Sequence, residues 1–419
     1  MTKHPIKIFS KNFRGFRQLN IDLNKTLFLV GDNSSGKSSI LHLINAVLRN
    51  DLNDIPALDE DLSVFRYDYF SPYFDNADVT LGYEYANESN RFGKFITIKH
   101  SPKGSPRVVL SSVFDNNTVA SIKAKAKGKG LQRRLVESES KLSIDEVIEI
   151  HERATGFENV RGLNDLPPPN HPFALMTAFD LDALKETRVL QTIFAEPIPT
   201  VRHVSPLRGM PERYYLFRRT IEAKGSHFAA MWQDLKEAKK KEIFAPIHKF
   251  GQESGLFEEV DVRRISRSIA DSPLAVTVKK QGKDFLLNQV GVGVSQVVPI
   301  LVECVFSDND SYDPVLLLQQ PELHLHPVAQ SALGSFLYSM AARGQPLCIE
   351  THSNFLIDRF RSEIRDSETN DIDASIYYCE NTESGNQYSE IRISNDGRLI
   401  DPPLSYFEFF ISELSRTMF

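Results

Sequence analysis

Cysteine is scarce. The 419 residues hold three, too few and too irregularly spaced for a zinc cluster or a disulfide scaffold. Cys304, Cys348 and Cys379 sit in apolar or strand-like surroundings and read as buried thiols of a reducing compartment. No run approaches the length of a membrane span, and the N-terminus lacks an uninterrupted apolar stretch. Both a transmembrane helix and a secretory signal are therefore disfavoured, and a cytoplasmic chain without a membrane partner is expected. Neither charge sign dominates: 49 basic against 55 acidic residues leave a net charge of −6. Such a surface does not coat nucleic acid as a whole, although a local basic groove stays open. No sustained heptad pattern exists to build a long coiled-coil arm, and no internal repeat is evident. What these absences leave is a globular chain, 41% apolar and 25% charged, with room for one large or two to three ordinary domains.

Against that background one segment stands out. Leu27 to Leu41, LFLVGDNSSGKSSIL, places Gly31, Gly36, Lys37 and Ser38 at phosphate-loop spacing between an apolar strand and an apolar helix. Glycine lets backbone N–H groups turn inward around phosphates, and the following helix aims its positive end at them. Lys37 would reach the β/γ-phosphates and the Ser38 hydroxyl would ligate Mg²⁺. The spacing therefore points to a nucleoside triphosphate, with Asn33 and Ser34 completing the expected loop contacts.

Around this loop the hydrophobic pattern suggests an α/β chain. IKIFSKNFRGFRQLNIDL reads as strand, basic turn, strand, and VTLGYEYA and KFITIKH as further strands. Residues 1–100 are expected to form an N-terminal lobe with a mixed sheet. Residues 101–283 read as an inserted, mainly helical subdomain, built around SIDEVIEIHERA and KGSHFAAMWQDLKEAKKKEIFAPIHKF. Within it, Ser121 to Arg134 carries Lys123, Lys125, Lys127, Lys129, Arg133 and Arg134 with no acid, a candidate nucleic-acid contact or a solvated loop. Residues 284–419 return to short buried apolar runs alternating with helices, the pattern of a parallel sheet.

Three further segments carry chemistry. GVGVSQVVPIL puts Gly293, Ser295 and Gln296 at a helix start, where free N–H groups and a hydroxyl suit a phosphate presented from outside. VLLLQQPELHLHP occupies the place of a strand that normally ends in two acids, one for Mg²⁺ and one to activate water. Here those positions are Gln319 and Gln320. A glutamine takes no proton, and a general base contributes roughly 10²–10⁴-fold, so turnover should be slow unless Glu322 supplies the carboxylate. His324 and His326 alternate on what reads as one extended segment and lack a third ligand for a metal. CIETHSNFLIDRF ends an apolar strand at His352, where a histidine can sense a γ-phosphate.

Taken in order, these segments resemble the ABC-type ATPase heads of the RecF, SMC and OLD group. They are most similar to compact AAA family ATPases with PELHLHP and ETHS boxes, such as the ATPase subunits of Septu-like (PtuA) and PARIS-like (AriA) anti-phage systems. The resemblance implies an ABC-type P-loop ATPase head with a mixed-sheet lobe, a parallel α/β lobe and the helical insert. It implies ATP and Mg²⁺, held by Gly31, Gly36, Lys37, Ser38 and Ser39, with Arg14 of the basic turn near the nucleotide. It also implies Gln319 at the metal, Gln320 and Glu322 at the attacking water, and His352 as the switch. Gly293, Ser295 and Gln296 would form the signature acting in trans within a head-to-tail homodimer or larger oligomer. Arg208, in a PLR box, is worth testing. No glutamine occurs between Ile40 and Leu131, so the Q-loop role would fall elsewhere, with Asp68 and Asp75 as guesses. The expected function is a slow ATPase, sensor or scaffold, that controls a separate effector, a nuclease from the same operon, without nuclease activity of its own. The alternative is a DNA- or RNA-bound repair clamp of the RecF/SMC type.

Overall fold

A computed structural model of the chain describes residues 6–48, 77–86, 91–99, 107–125, 130–160, 178–179, 201–205, 210–216, 227–237, 241–266, 272–307, 314–367 and 372–417. Two compact units emerge. The first draws on 1–24, 34–198 and 381–387, the second on 25–33, 199–380 and 388–419.

The first unit opens with β1 (Ile6–Phe13) and β2 (Phe16–Asp22), an antiparallel pair closed by Asn12 and Arg14 at positive φ. The next strand, β3 (Thr26–Gly31), belongs to the second unit, and the chain returns to the first with α1 (Lys37–Leu48). Then follow β4 (Val79–Ala86), β5 (Arg91–Lys99), β6 (Arg107–Phe114), β7 (Thr118–Ala124) and β8 (Leu131–Glu137). Helix α2 (Ile144–Glu152) and the two-residue β9 (Glu158–Asn159) complete it. The strands form an antiparallel meander in the order β2-β1-β4-β5-β6-β7-β8-β9. Local chemistry sets its turns. Asp115 Oδ1 accepts from the N–H groups of Asn117 (2.9 Å) and Thr118 (2.8 Å), closing the β6–β7 hairpin.

In the second unit β10 (Val201–Val204) precedes α3 (Phe228–Glu237) and α4 (Ala245–Ser254). A small antiparallel sheet of β11 (Glu259–Arg264), β12 (Leu274–Lys280) and β13 (Lys283–Leu286) follows. Its two-residue turn, Gln281-Gly282, has positive φ at both positions, which matches the twist of a hairpin. The chain continues through α5 (Val292–Ser307), β14 (Val315–Gln319), α6 (Pro327–Ala342), β15 (Leu347–Glu350) and α7 (Asn354–Asp366). It ends with β16 (Ala374–Thr382), β17 (Gly385–Ile393), β18 (Leu399–Ile400) and α8 (Leu404–Thr417). The main sheet runs β10-β14-β15-β3-β16-β17, with β10 to β16 parallel. Leu316, Leu318, Ile349, Phe28 and Val30 are fully buried in a core shared with α3 to α7, which is why these strands read as unbroken apolar runs.

The mixed α/β class is as expected. Over 101–283 a single, mainly helical insert is the expectation. Its described residues supply β6 to β12 as well as α2, α3 and α4, and they are shared between both units. The basic run accounts for much of the difference. Thr118 to Ile122 are all buried on β7, and Ser121 to Ala124 pairs antiparallel with Leu131 to Arg134. Among the described residues no helix is long and apolar enough to cross a membrane.

Candidate nucleotide site

The phosphate loop leaves β3 at Gly31, whose φ of 139° suits only glycine. A Cβ there would lie 1.9 Å from the Cys379 carbonyl oxygen on the neighbouring strand. Ser34 (φ 65°) and Gly36 (φ 97°) supply the remaining left-handed turns, and Ile40 N–H closes the first helical bond on Gly36 O at 3.1 Å. Lys37 and Ser39 are buried, an unusual environment for a lysine. Ser35 Oγ is buried with no hydrogen-bond partner among the described residues. A cradle of turned-in backbone with a buried cation and an orphaned hydroxyl fits a phosphate chain. Arg14, held at φ 52° in the β1–β2 turn, donates from Nη1 to Ser39 Oγ at 3.1 Å. The basic turn thus reaches the helix that follows the loop.

Sequence reasoning passed over Asn386. Its backbone N–H donates to Gly15 O at 2.8 Å, and its carboxamide lies where a Cβ on Gly15 or Gly36 would fall, 2.4 and 2.6 Å away. The ring of Phe16 closes on Gly36 beside it. No motif in the sequence announces a brace from a strand some 350 residues downstream.

In the second unit, the C-terminal ends of β14, β15 and β3 lie side by side. Gln319 registers with Glu350, and Glu350 with Leu29, two residues before Gly31. Gln320, at φ 44°, donates its N–H to Glu350 O at 2.8 Å. Glu322 is buried, and its Oε1 accepts the His352 backbone N–H at 2.8 Å. The expected base and the expected switch residue are therefore brought together through this bond. Ser353 caps α7 by accepting from Leu356 N (3.1 Å) while donating to Gln330 Oε1 (2.6 Å).

Two expectations are corrected. Gln320 to His324 is not extended: the chain turns there with His324 at φ 68°, so His324 and His326 do not share a strand face. His326 instead caps α6, its Nδ1 accepting from Ala329 N at 3.4 Å. The signature hydroxyl is not presented outward either. Ser295 is 4% exposed and donates to Val292 O at 3.0 Å, the back-bonding open to a helical serine. Val292, 52% exposed, faces out instead. Gln296 is buried, and Gly293 lies close under the His324 carbonyl, 2.8 Å from where a Cβ would be.

The basic run is largely committed within the first unit. Arg134 is buried and donates to the carbonyls of Ile150, Arg153 (2.7 Å) and Thr155 (2.9 Å). Arg133 donates to Ala178 O at 2.9 Å, and Lys123 lies 5.2 Å from the Phe157 ring. Burial and internal acceptors thus remove Arg134 from the expected nucleic-acid contacts. Lys127, Lys129, Arg208, Asp68 and Asp75 lie outside the described residues. Among the described residues no cluster of three or more His, Cys, Asp and Glu side chains could hold a metal ion.

Among solved structures, the chain is similar to three SMC heads. One is bound to the C-winged helix domain of ScpA (11% identity, 93% of this chain and 99% of that one, TM-score 0.44). A second, derived from Pyrococcus furiosus, carries an extended coiled coil and the ScpA C-terminal domain (12%, 99% and 100%, 0.43). The third is the SMC head domain from Thermotoga maritima (11%, 92% and 98%, 0.37). No curated protein matches. Residues 6–160 match the profile of the AAA ATPase domain. Residues 201–358 match the profile described as "AAA domain, putative AbiEii toxin, Type IV TA system". Those two matches span the phosphate loop and the β14–β15 strand ends, and each gives its part of the chain the likeness of an AAA-type ATPase domain.

Proposed function

We propose that the chain binds ATP with Mg²⁺, hydrolyses it slowly, and works as a sensor or scaffold controlling a separate effector, a nuclease, in anti-phage defence. The observation that carries this reading is the strand-end edge itself. β3 delivers the phosphate loop, β15 lies beside it and β14 one strand further, and past their ends come Gln319, Gln320 and the Glu322–His352 bond. Glutamines at the two expected acid positions favour long occupancy over rapid turnover, because neither side chain accepts a proton. The second profile's description names a toxin of a type IV TA system, which favours a protein that acts with a partner.

The bound Mg²⁺ would neutralise charge developing on the phosphates. Lys37 and the loop N–H groups would orient the chain, with Ser38 offering its hydroxyl to the ion. Glu322 would take a proton from water, and His352, tied to it through the backbone, would report the γ-phosphate. Closure of two copies head to tail would bring the Val292 edge of one chain to the other's nucleotide, and Ser295 would exchange its Val292 acceptor for phosphate. The clamp alternative rested on six cations, of which Arg134 is spent internally; charge reversal of Lys123 and Lys125 tests what remains.

Lys37→Ala should abolish binding of a fluorescent ATP analogue. Glu322→Gln should bind normally and lose residual turnover by about 10²-fold or more. Normal hydrolysis by Glu322→Gln would remove Glu322 as the base. Co-purification of a tagged chain with the product of a neighbouring gene tests the effector.

A further inference from the structure

The second unit holds a carboxylate that the sequence pattern does not predict. Glu350 ends β15, is 4% exposed, and lies in register with Gln319, the residue standing where the metal-holding acid is expected. Paired strands lie roughly 4.8 Å apart, and side chains at one register level share a face. The face can be assigned from the core. Leu316 and Leu318, Leu347 and Ile349, and Phe28 and Val30 all belong to the apolar core of the unit. Leu317 and Gln319, Cys348 and Glu350, and Leu27 and Leu29 alternate with them and project from the opposite face. On that face β3 runs two residues past Leu29 into Gly31. The Gln320 N–H bond to Glu350 O, 2.8 Å long, fixes the two strand ends to each other.

We infer that the acid has been transposed by one strand: Glu350 of β15, not Gln319 of β14, is the carboxylate that holds the Mg²⁺ of bound ATP. Gln319 keeps a neutral oxygen at the same level, able to accept a hydrogen bond from the ion's water shell. Mg²⁺ retains several waters and needs only one or two carboxylates beside the phosphates, so one acid on the neighbouring strand suffices. The division of labour is then clear. Glu350 serves the ion, whereas Glu322, bonded to His352, serves the water. The inference rests on the ATP reading proposed above.

The test is a Mg²⁺ titration of ATP-analogue binding, read by fluorescence, with thermal unfolding as the check on folding. Glu350→Gln, nearly isosteric, should raise the half-saturating Mg²⁺ about 10–100-fold, with metal-free nucleotide binding of the same variant as the reference. Gln319→Glu combined with Glu350→Gln returns the carboxylate to β14 and should restore the Mg²⁺ requirement to within about threefold of the parent. If Glu350→Gln does not fold, Glu350→Asp, one methylene shorter, should shift the requirement severalfold in the same direction. A titration within twofold of the parent for the folded variant overturns the inference, as does failure of the transposed pair to recover. Lys37→Ala separates the two levels. If it binds nucleotide normally, the ATP reading itself has failed; if it does not, a negative result at Glu350 counts against the transposition alone.

Discussion

In the first unit, buried polar side chains run through the middle of the sheet, whereas in the second they collect at strand ends and under one helix. Thr80 and Thr97 meet across β4 and β5 at 3.1 Å, Thr97 meets His151 Nε2 at 2.9 Å, His151 Nδ1 meets Ser112 at 2.8 Å, and Ser112 meets Ser121 at 2.8 Å. This hydroxyl–imidazole chain crosses four antiparallel strands. The second unit has no such chain among its described residues. Its polar groups lie at Gln319, Glu322, Glu350 and His352, and in a cluster of Arg202, His227 and Glu303 beneath α5. Hairpin pairing brings two hydroxyls opposite each other at any level. A parallel sheet buried on both faces leaves polar groups only its carboxyl ends, which is where ligands bind.

The sharpest break of this contrast is Glu303→Ala. Glu303 holds Arg202 Nη1 at 3.6 Å and bonds His227, and all three are nearly buried. Removing the carboxylate leaves an uncompensated buried guanidinium, so stability should fall by about 3–5 kcal/mol. A urea midpoint lowered without a changed slope is the expected reading. A loss below about 1 kcal/mol would mean that the cluster is solvated and organises nothing. Glu303→Gln, which keeps an acceptor, should cost less.

Next comes acid sensitivity of the first unit. Burial, reinforced by Arg134, pushes His151 down to about 3. Above about pH 6.5 the ring is neutral in folded and unfolded chains alike and adds no slope. Below it the unfolded chain takes up a proton that the folded chain refuses until about pH 3, so stability declines by about 1.4 kcal/mol per pH unit. Protection factors of the β5 to β7 amides, taken relative to intrinsic exchange at each pH, should fall between about pH 6.5 and 5. His151→Gln, which retains hydrogen bonding without titrating, should flatten that dependence. An unchanged profile in His151→Gln would place the acid sensitivity elsewhere.

How much of this was legible follows the same division. The loop from Gly31 to Ser39, Arg14 and the parallel strands could be read because each is a local pattern whose residues lie within a few positions of one another. Glu322 and His352 stand out in the sequence one by one, but not the 2.8 Å bond between them, which forms only when β14 and β15 pair. Asn386 and Glu350 were missed because their meaning is a matter of register: each matters for what stands opposite it on another strand. The basic run misled because a row of lysines looks like a loop. The buried stretch Thr118 to Ile122 just ahead of its lysines carries the strand, and Arg134 is spent on carbonyls that no linear pattern reveals.

The smallest effect sharpens the contrast most finely. Helix α2 carries His151 into the hydroxyl chain, and a capping box starts it. Ser143 Oγ accepts from Glu146 N at 3.2 Å, and Glu146 Oε2 accepts from Ser143 N at 2.6 Å. The backbone bond from Ser143, with its side-chain partner, holds the Glu146 carboxyl below its ordinary range. Ser143→Ala should therefore cost about 1 kcal/mol. The His151 slope gives this number a second meaning. If α2 stays docked, Ser143→Ala lowers stability by the same amount at pH 7 and pH 5.5, and its effect adds to that of His151→Gln. If the helix loosens, His151 gains water, takes up its proton earlier, and the two substitutions fail to add by more than about 0.5 kcal/mol. Additivity in a double-mutant cycle would make the hydroxyl chain a property of the strands. Coupling would make it a property of the helix that clamps them.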